Sequence, residues 1–317
     1  MTAFLDWPEQ IELLKAHNLH IESETTALNT IQKYSFHALI NGYLPALAKE
    51  DHPEQFIDGI SIETLGVIQM LENRLASELL QAIISIERNV KSVFQHEISR
   101  QLGHDPKDYL QASHYRSRGV NRTNNLRMLD GVAKKSKALL KTIPYLQDEQ
   151  PVTPWILINQ ISFGHCLNWY MMSEPTIKRR TVTHFDLPFE DEASRLEFFK
   201  DAMSYLVAFR NGLAHGRMIG QIKSRIPLHY HRLHVFYSES VLSKKEFQND
   251  GYGQRDFFGL LLVIGVFLKQ SERQIFKDQL QNLLEIFDTL LPLDERPMQN
   301  IFGGIPNALQ ERVEELL

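Results

Sequence analysis

The stretch ISIETLGVIQMLENRLASELLQAIISIERNVKSVFQHEISRQL, residues 60–102, decides the class of this fold. Its apolar residues Ile68, Leu71, Leu75, Leu79, Ile83, Ile86, Val90, Val93 and Phe94 recur at steps of mostly three and four. That spacing puts them on one side of an α-helix for more than six turns of ~3.6 residues. Ser61 supplies a capping hydroxyl at the start and Gly103 a stop at the end. So long a stripe needs other helices laid along it, and the expectation is an all-α protein, a helical bundle of long antiparallel helices.

The second informative stretch is RLEFFKDAMSYLVAFRNGLAHGR, residues 195–217. Leu196, Phe199, Met203, Leu206 and then Arg210 fall in one helical register, so a guanidinium lies in line with an apolar stripe. Such a group stays charged and is costly to bury alone, so it needs an anionic partner or an opening to solvent. Asn211-Gly212 predicts the helix end, because both residues tolerate left-handed backbone. His215, five positions after Arg210, then lies past the break and is free to turn back towards it.

An arginine followed at such spacing by a histidine is weak by itself, since composition predicts about 2 occurrences and the chain has three. Arg179 to His184 sits between Pro175 and Pro188, and Arg225 to His231 spans Pro227. Both read as solvated loops, which leaves Arg210 and His215 as the pair with a structural setting. On the long helix, Glu87 and Lys91 flank the stripe, whereas Arg88 points nearly opposite. They read either as a surface pair at four-residue spacing or, for Glu87, as the counter-charge to Arg210 if the two helices meet.

Composition bounds the rest. With 43% hydrophobic and 23% charged residues the chain is ordinary globular material, and 317 residues bury a core without staples. A single cysteine, Cys166, excludes an intrachain disulfide and fits a reducing compartment. The opening MTAFLDWP lacks the basic and then apolar pattern of a signal peptide. The longest apolar run, 257–268, falls well short of the ~20 residues of a membrane span. These features predict a soluble, cytoplasmic protein with no membrane partner.

A net charge of −5 argues against wholesale nucleic-acid binding, yet the charge is uneven. Residues 114–141 carry Arg116, Arg118, Arg122, Arg127, Lys134, Lys135, Lys137 and Lys141 against one acid, Asp130. That run suits a phosphate backbone, as in RNA, and equally a solvated helix face.

Elsewhere, 7–18 reads as a short helix, 23–47 as a helical stretch broken near Gly42 and Pro45, and 155–172 as a buried helix interrupted near Gly164, with His165 in the core. Residues 228–237 show strand-like alternation with His229 and His231 on one face. No cysteine or carboxylate completes a zinc set there, so neither metal nor cofactor is expected. Residues 257–291 read as a long helix or a helix pair, and 307–317 as a short one. There is no Gly-rich phosphate loop, sustained heptad or internal repeat. No clear linker cuts the chain; the only candidate boundary lies at 238–255.

Five blocks then carry a resemblance: PEQIELLKAHNLHI (8–21), LNTIQKYSFHALINGYLPAL (28–47), IERNVKSVFQHEIS (86–99), QISFGHCLNWY (160–170) and FRNGLAHGR (209–217). In content and order the chain resembles the abortive-infection (Abi) family of bacterial phage-resistance proteins, over around two thirds of its length. Members of that family resemble the HEPN superfamily of helical proteins. The resemblance implies an HEPN-like helical domain over 5–235, with an N-terminal helical arm at 5–58, and a C-terminal helical extension over 236–317.

It further implies a metal-independent endoribonuclease whose catalytic residues are Arg210, Asn211 and His215, working as a homodimer with a composite site. Glu87, Lys91 and Arg217 are the supporting candidates, and Arg116, Arg118, Arg122, Arg127, Lys134 and Lys135 the RNA-binding ones. One departure is Gly220, where the resemblance implies a polar residue, often asparagine. The alternatives are a non-catalytic module that holds an RNA, such as a cognate non-coding RNA, or an antitoxin in the same groove, and a structural helical dimer with Arg210 neutralised by Glu87.

Overall fold

The computed structural model describes residues 4–117, 119–140, 151–290 and 296–317. Its spine is the helix read first, 41 unbroken residues from Ile62 to Leu102. In chain order the helices are α1 (Trp7–Ala16), α2 (Glu24–Tyr34), α3 (Phe36–Leu47), α4 (Ile62–Leu102), α5 (Pro106–Tyr109), α6 (Arg122–Leu140), α7 (Pro154–Leu157) and α8 (Phe163–Met172). There follow α9 (Pro175–Val182), α10 (Glu192–Ala214), α11 (Tyr230–Leu233), α12 (Phe257–Phe267), α13 (Gln270–Leu290), α14 (Arg296–Ile301) and α15 (Leu309–Leu316). The described residues contain no strand, only three isolated bridges, so the fold is all-α. No described helix is long and apolar enough to cross a membrane.

Three local expectations are corrected. The alternation at 228–237 makes no strand: with no neighbouring strand to pair with, the backbone bonds to itself in the short turn of α11, His234 N–H donating to Tyr230 at 2.9 Å. The stretch 23–47 breaks at Ser35, not at Gly42 or Pro45. Ser35 adopts φ 66° and its hydroxyl accepts from Ala38 N–H at 3.2 Å, starting α3. Pro45 stays inside α3, and the Asn41 carbonyl that its missing N–H cannot serve accepts from Gln221 Nε2 at 3.3 Å. In 155–172 the break falls before α8, where Ser162 caps the helix, and Gly164 lies in its first turn. His165 is exposed beside the Ser162 hydroxyl, at 3.1 Å, rather than in the core.

The chain forms two units, neither continuous in sequence: 1–82 with 208–225 and 237–317, and 83–207 with 226–236. Helices α4 and α10 contribute to both. In the first unit the arm is tied to the start of α4 by paired bonds between His20 and residues 60 and 62, each 3.0 Å. Helix α12 is apolar all round and nearly every residue is buried, which marks an interior helix. Helices α13 and α15 lie against each other, held also by Lys277 to Glu314 at 2.7 Å, and Arg312 joins Glu246 at 2.7 Å. Residues 5–58 and 237–317 thus fall in the same unit.

The second unit is built on aromatic residues. Trp169 meets Phe94 edge-on at 5.4 Å between ring centres, and its indole N–H donates to the Tyr115 hydroxyl at 2.9 Å. Tyr115 in turn donates to the Tyr109 carbonyl at 2.5 Å, so the buried polar tips are satisfied in a chain. Cys166 is buried as well, and desolvation pushes its thiol up to about 12. That holds it as an inert thiol at neutral pH.

Candidate functional site

Helix α10 carries the arginine as its stripe predicts. Phe199, Met203 and Leu206 are buried, Leu196 and Arg210 half-buried, and the neighbouring Phe198, Ala202, Tyr205 and Phe209 widen the buried face. The helix does not stop at Asn211-Gly212, however. It runs to Ala214 and ends in a Schellman motif. Gly216, at φ 68°, donates to the Leu213 carbonyl at 3.0 Å, and Arg217 N–H donates to the Gly212 carbonyl at 3.0 Å. Gly212 is instead a close-packing site, since a Cβ there would lie 2.8 Å from the Ile222 side chain.

This later ending sets the geometry. Asn211 is inside the last helical turn and His215 caps it, four positions on, so the two share a face. Arg210 and His215 are separated by about 140° around an ideal helix and about 7.5 Å along it. Asn211, His215 and Arg217 are exposed, and none of their side chains has a hydrogen-bond or ion-pair partner among the described residues. Three polar groups are therefore presented outward at the helix end, with the half-buried Arg210 one residue before them.

The loop that follows is anchored by a residue not anticipated from the sequence. Glu72 of α4 is 2% exposed. Its Oε1 accepts from Ile219 N–H at 2.6 Å and its Oε2 from the Tyr43 hydroxyl at 2.7 Å. Burial raises the Glu72 pKa against the lowering effect of both bonds, and raises that of Tyr43 as well. The signal was in the sequence: Glu72 lies four positions after Ile68, an acid set in an apolar register as Arg210 is.

Between α4 and the motif lies a cleft of ≈ 250 Å³, with Gln69, Asn73, Ser77, Gly216 and Arg217 among its lining residues. Gly220, the departure noted above, also has a local reason. A Cβ there would sit 2.1 Å from the Ile301 carbonyl oxygen and 2.8 Å from Gly303 N, so residues 301–303 occupy the space a side chain would take. Lys223 adds a bond to the Gly303 carbonyl at 2.7 Å. Because the obstacle is backbone, Gly220→Ala is expected to cost ~2 kcal/mol, read as a lower urea midpoint at unchanged slope.

The remaining candidates lie in the second unit. Glu87 and Lys91 do pair, at 2.7 Å, but not on the surface: they are 7% and 8% exposed, and Lys91 also donates to the Ile161 carbonyl at 2.7 Å. In the basic segment Arg122 is engaged by the carbonyls of Ala112 and Tyr115, at 3.2 and 3.0 Å. Arg116 approaches Glu174 at 3.5 Å and Lys134 pairs with Asp130 at 2.6 Å. Arg127, Lys135 and Lys137 are exposed on α6. Arg118 and Lys141 lie outside the described residues.

Of the pair Arg179 and His184, read above as a solvated loop, only Arg179 departs from that reading; His184 lies in the turn that follows α9. Arg179 is on α9, 3.5 Å from Glu192, and His184 Nε2 lies 3.2 Å from the buried Glu97. Among the described residues no group of three or more His, Cys, Asp or Glu is gathered to hold a metal. His229 and His231 stand with ring centres 5.8 Å apart.

A family model described as Abi-like protein matches residues 29–219, from α2 through the motif to the Glu72-anchored loop. No curated protein and no solved structure matches the chain.

Proposed function

This chain belongs to the Abi-like family, and on that premise we propose that it acts in abortive-infection phage defence as a metal-independent endoribonuclease of the HEPN type. The observation that carries the reading is the end of α10, where a half-buried arginine precedes an exposed asparagine and histidine beside a cleft of mixed polar and apolar lining.

Those residue types suit cleavage by the RNA's own 2′-hydroxyl. The O2′–P bond forms as the P–O5′ bond breaks, leaving a 2′,3′-cyclic phosphate and a 5′-hydroxyl. The nucleophile is already within the substrate, so the protein supplies positioning, proton transfer and charge. His215 transfers a proton as the reacting bonds change, an effect of typically ~10²–10⁴-fold. Arg210 presents a planar fork to two phosphate oxygens and stabilises the charge that grows on them. Asn211, on the same face as His215, orients the imidazole or a phosphate oxygen.

One imidazole cannot remove the O2′ proton and protonate O5′ in the same step. A second copy of the chain related by a two-fold axis supplies the other, so the working form is a homodimer. Arg127, Lys134 and Lys135 on α6 follow the RNA backbone, while Arg122 serves its own chain.

The reading is tested with an oligoribonucleotide and its 2′-deoxy counterpart, each incubated in EDTA. Cutting of the RNA alone is expected, together with binding that weakens as salt rises. Cutting of the deoxy strand, or a need for a divalent cation, would remove the proposal.

A further inference from the structure

We infer that Trp155, exposed on α7 beside the cationic helix α6, is a stacking platform for an unpaired base of single-stranded RNA whose phosphates lie along α6. This rests on the reading of RNA as the ligand and names a contact by which the strand is held.

The setting of Trp155 carries the inference. Its neighbours Thr153, Pro154 and Leu157 are buried, and the Tyr109 hydroxyl donates to the Val152 carbonyl at 2.6 Å, so the backbone under Trp155 is tied to the core of the second unit. The Trp155 carbonyl accepts from Asn159 Nδ2 at 2.9 Å. Its side chain nevertheless stays 47% exposed, with no aromatic or hydrogen-bond partner among the described residues. Trp169, in the same unit, is fully buried with its indole N–H bonded to Tyr115. A single exposed apolar residue needs no account by itself; what surrounds this one does.

Helix α6 packs on α7. Leu129, Ala133 and Ser136 are its buried side, while Arg127, Lys134, Lys135 and Lys137 are exposed. Lys137 lies one turn after Ala133, which brings it to the margin of that buried side, next to the helices packed there. From 151 to 173 the chain holds no acidic residue, so nothing on the Trp155 segment repels a phosphate. An exposed indole bordering a row of cations matches the two features that an unpaired strand offers at each nucleotide, a π-face and a phosphate. Bases in a duplex are already stacked on one another, so the partner is a single strand.

The test measures binding, not cleavage. The full chain carrying His215→Ala is titrated with an oligouridylate and with an abasic oligomer of equal length and charge. Adding Trp155→Ala is expected to weaken oligouridylate binding about tenfold, the size of one base stack, and to leave abasic binding unchanged. Oligouridylate should also quench the indole emission, and Trp155→Phe should remove that quenching while keeping most of the affinity. Trp7→Ala, which removes another exposed indole, should change neither affinity nor the quenching. Circular dichroism and gel filtration check the fold and the oligomeric state of each variant. Unchanged oligouridylate affinity in Trp155→Ala, an equal loss on the abasic oligomer, or quenching that survives Trp155→Phe overturns the platform and leaves the ribonuclease reading standing. A changed oligomeric state in Trp155→Ala also overturns it, because Trp155 then faces another copy of the chain. Trp155-dependent binding by a protein that cuts no RNA keeps the platform and removes the ribonuclease. Failure of the unaltered chain to bind either oligomer removes both.

Discussion

Arg210→Ala and His215→Ala are each expected to lower RNA cleavage at least ~10²-fold while leaving the helical content and the unfolding midpoint nearly unchanged. The two losses arise differently. His215 is exposed at the end of α10, so its removal costs proton transfer and little stability. Arg210 is half-buried in α10, so Arg210→Lys is the sharper variant. It keeps the charge and loses the planar fork, and should remain far below the unaltered protein. In single-turnover assays both losses should fall on the rate constant of the chemical step, with RNA affinity reduced far less. Full activity in either alanine variant would remove the site.

The second large effect is expected away from the exposed residues. Glu72→Leu leaves Ile219 N–H and the Tyr43 hydroxyl buried without their acceptor. Each orphaned group costs ~1–3 kcal/mol, so a loss of ~3 kcal/mol is expected by urea denaturation at pH 7, with weaker cleavage because residues 216–221 lose their anchor. Glu72→Gln should be nearly neutral, since its carbonyl still accepts from Ile219 and its amide can donate to Tyr43.

The two variants also separate the effect of pH. Burial raises the native Glu72 pKa, so between its ordinary value and the raised one the native protein holds a proton that the unfolded chain has released. Stability from this group therefore falls as pH rises through that window, and Glu72→Gln removes the slope. A loss below 1 kcal/mol for the leucine variant would show that the loop does not depend on Glu72.

The helical class was legible because long amphipathic repeats say helix whatever surrounds them, as in α4 and α10. Local endings were less so, because competing signals are adjacent in the chain. Asn211-Gly212 reads as a stop, yet the helix runs on to Ala214 because Leu213 is buried and Ile222 closes over Gly212. Alternation at 228–237 predicts a strand only where a partner strand exists, and none does among the described residues.

At the site, Arg210 was readable as a charge in an apolar register. Glu72 was equally readable by the same rule, yet what it anchors was not. No spacing connects Glu72 to Ile219, because that contact joins segments far apart in the chain. Gly220 looked like a gap in the motif until the backbone of 301–303 was seen to fill it.

The central claim is that Arg210 and His215 cut RNA through its own 2′-hydroxyl. Purified protein is incubated with total RNA in EDTA, and the new 3′ ends are tested for a 2′,3′-cyclic phosphate. New ends carrying that phosphate, with 5′-hydroxyl partners, absent when His215→Ala is used, are predicted. Intact RNA, or ends bearing a 3′-hydroxyl and a 5′-phosphate, would contradict it.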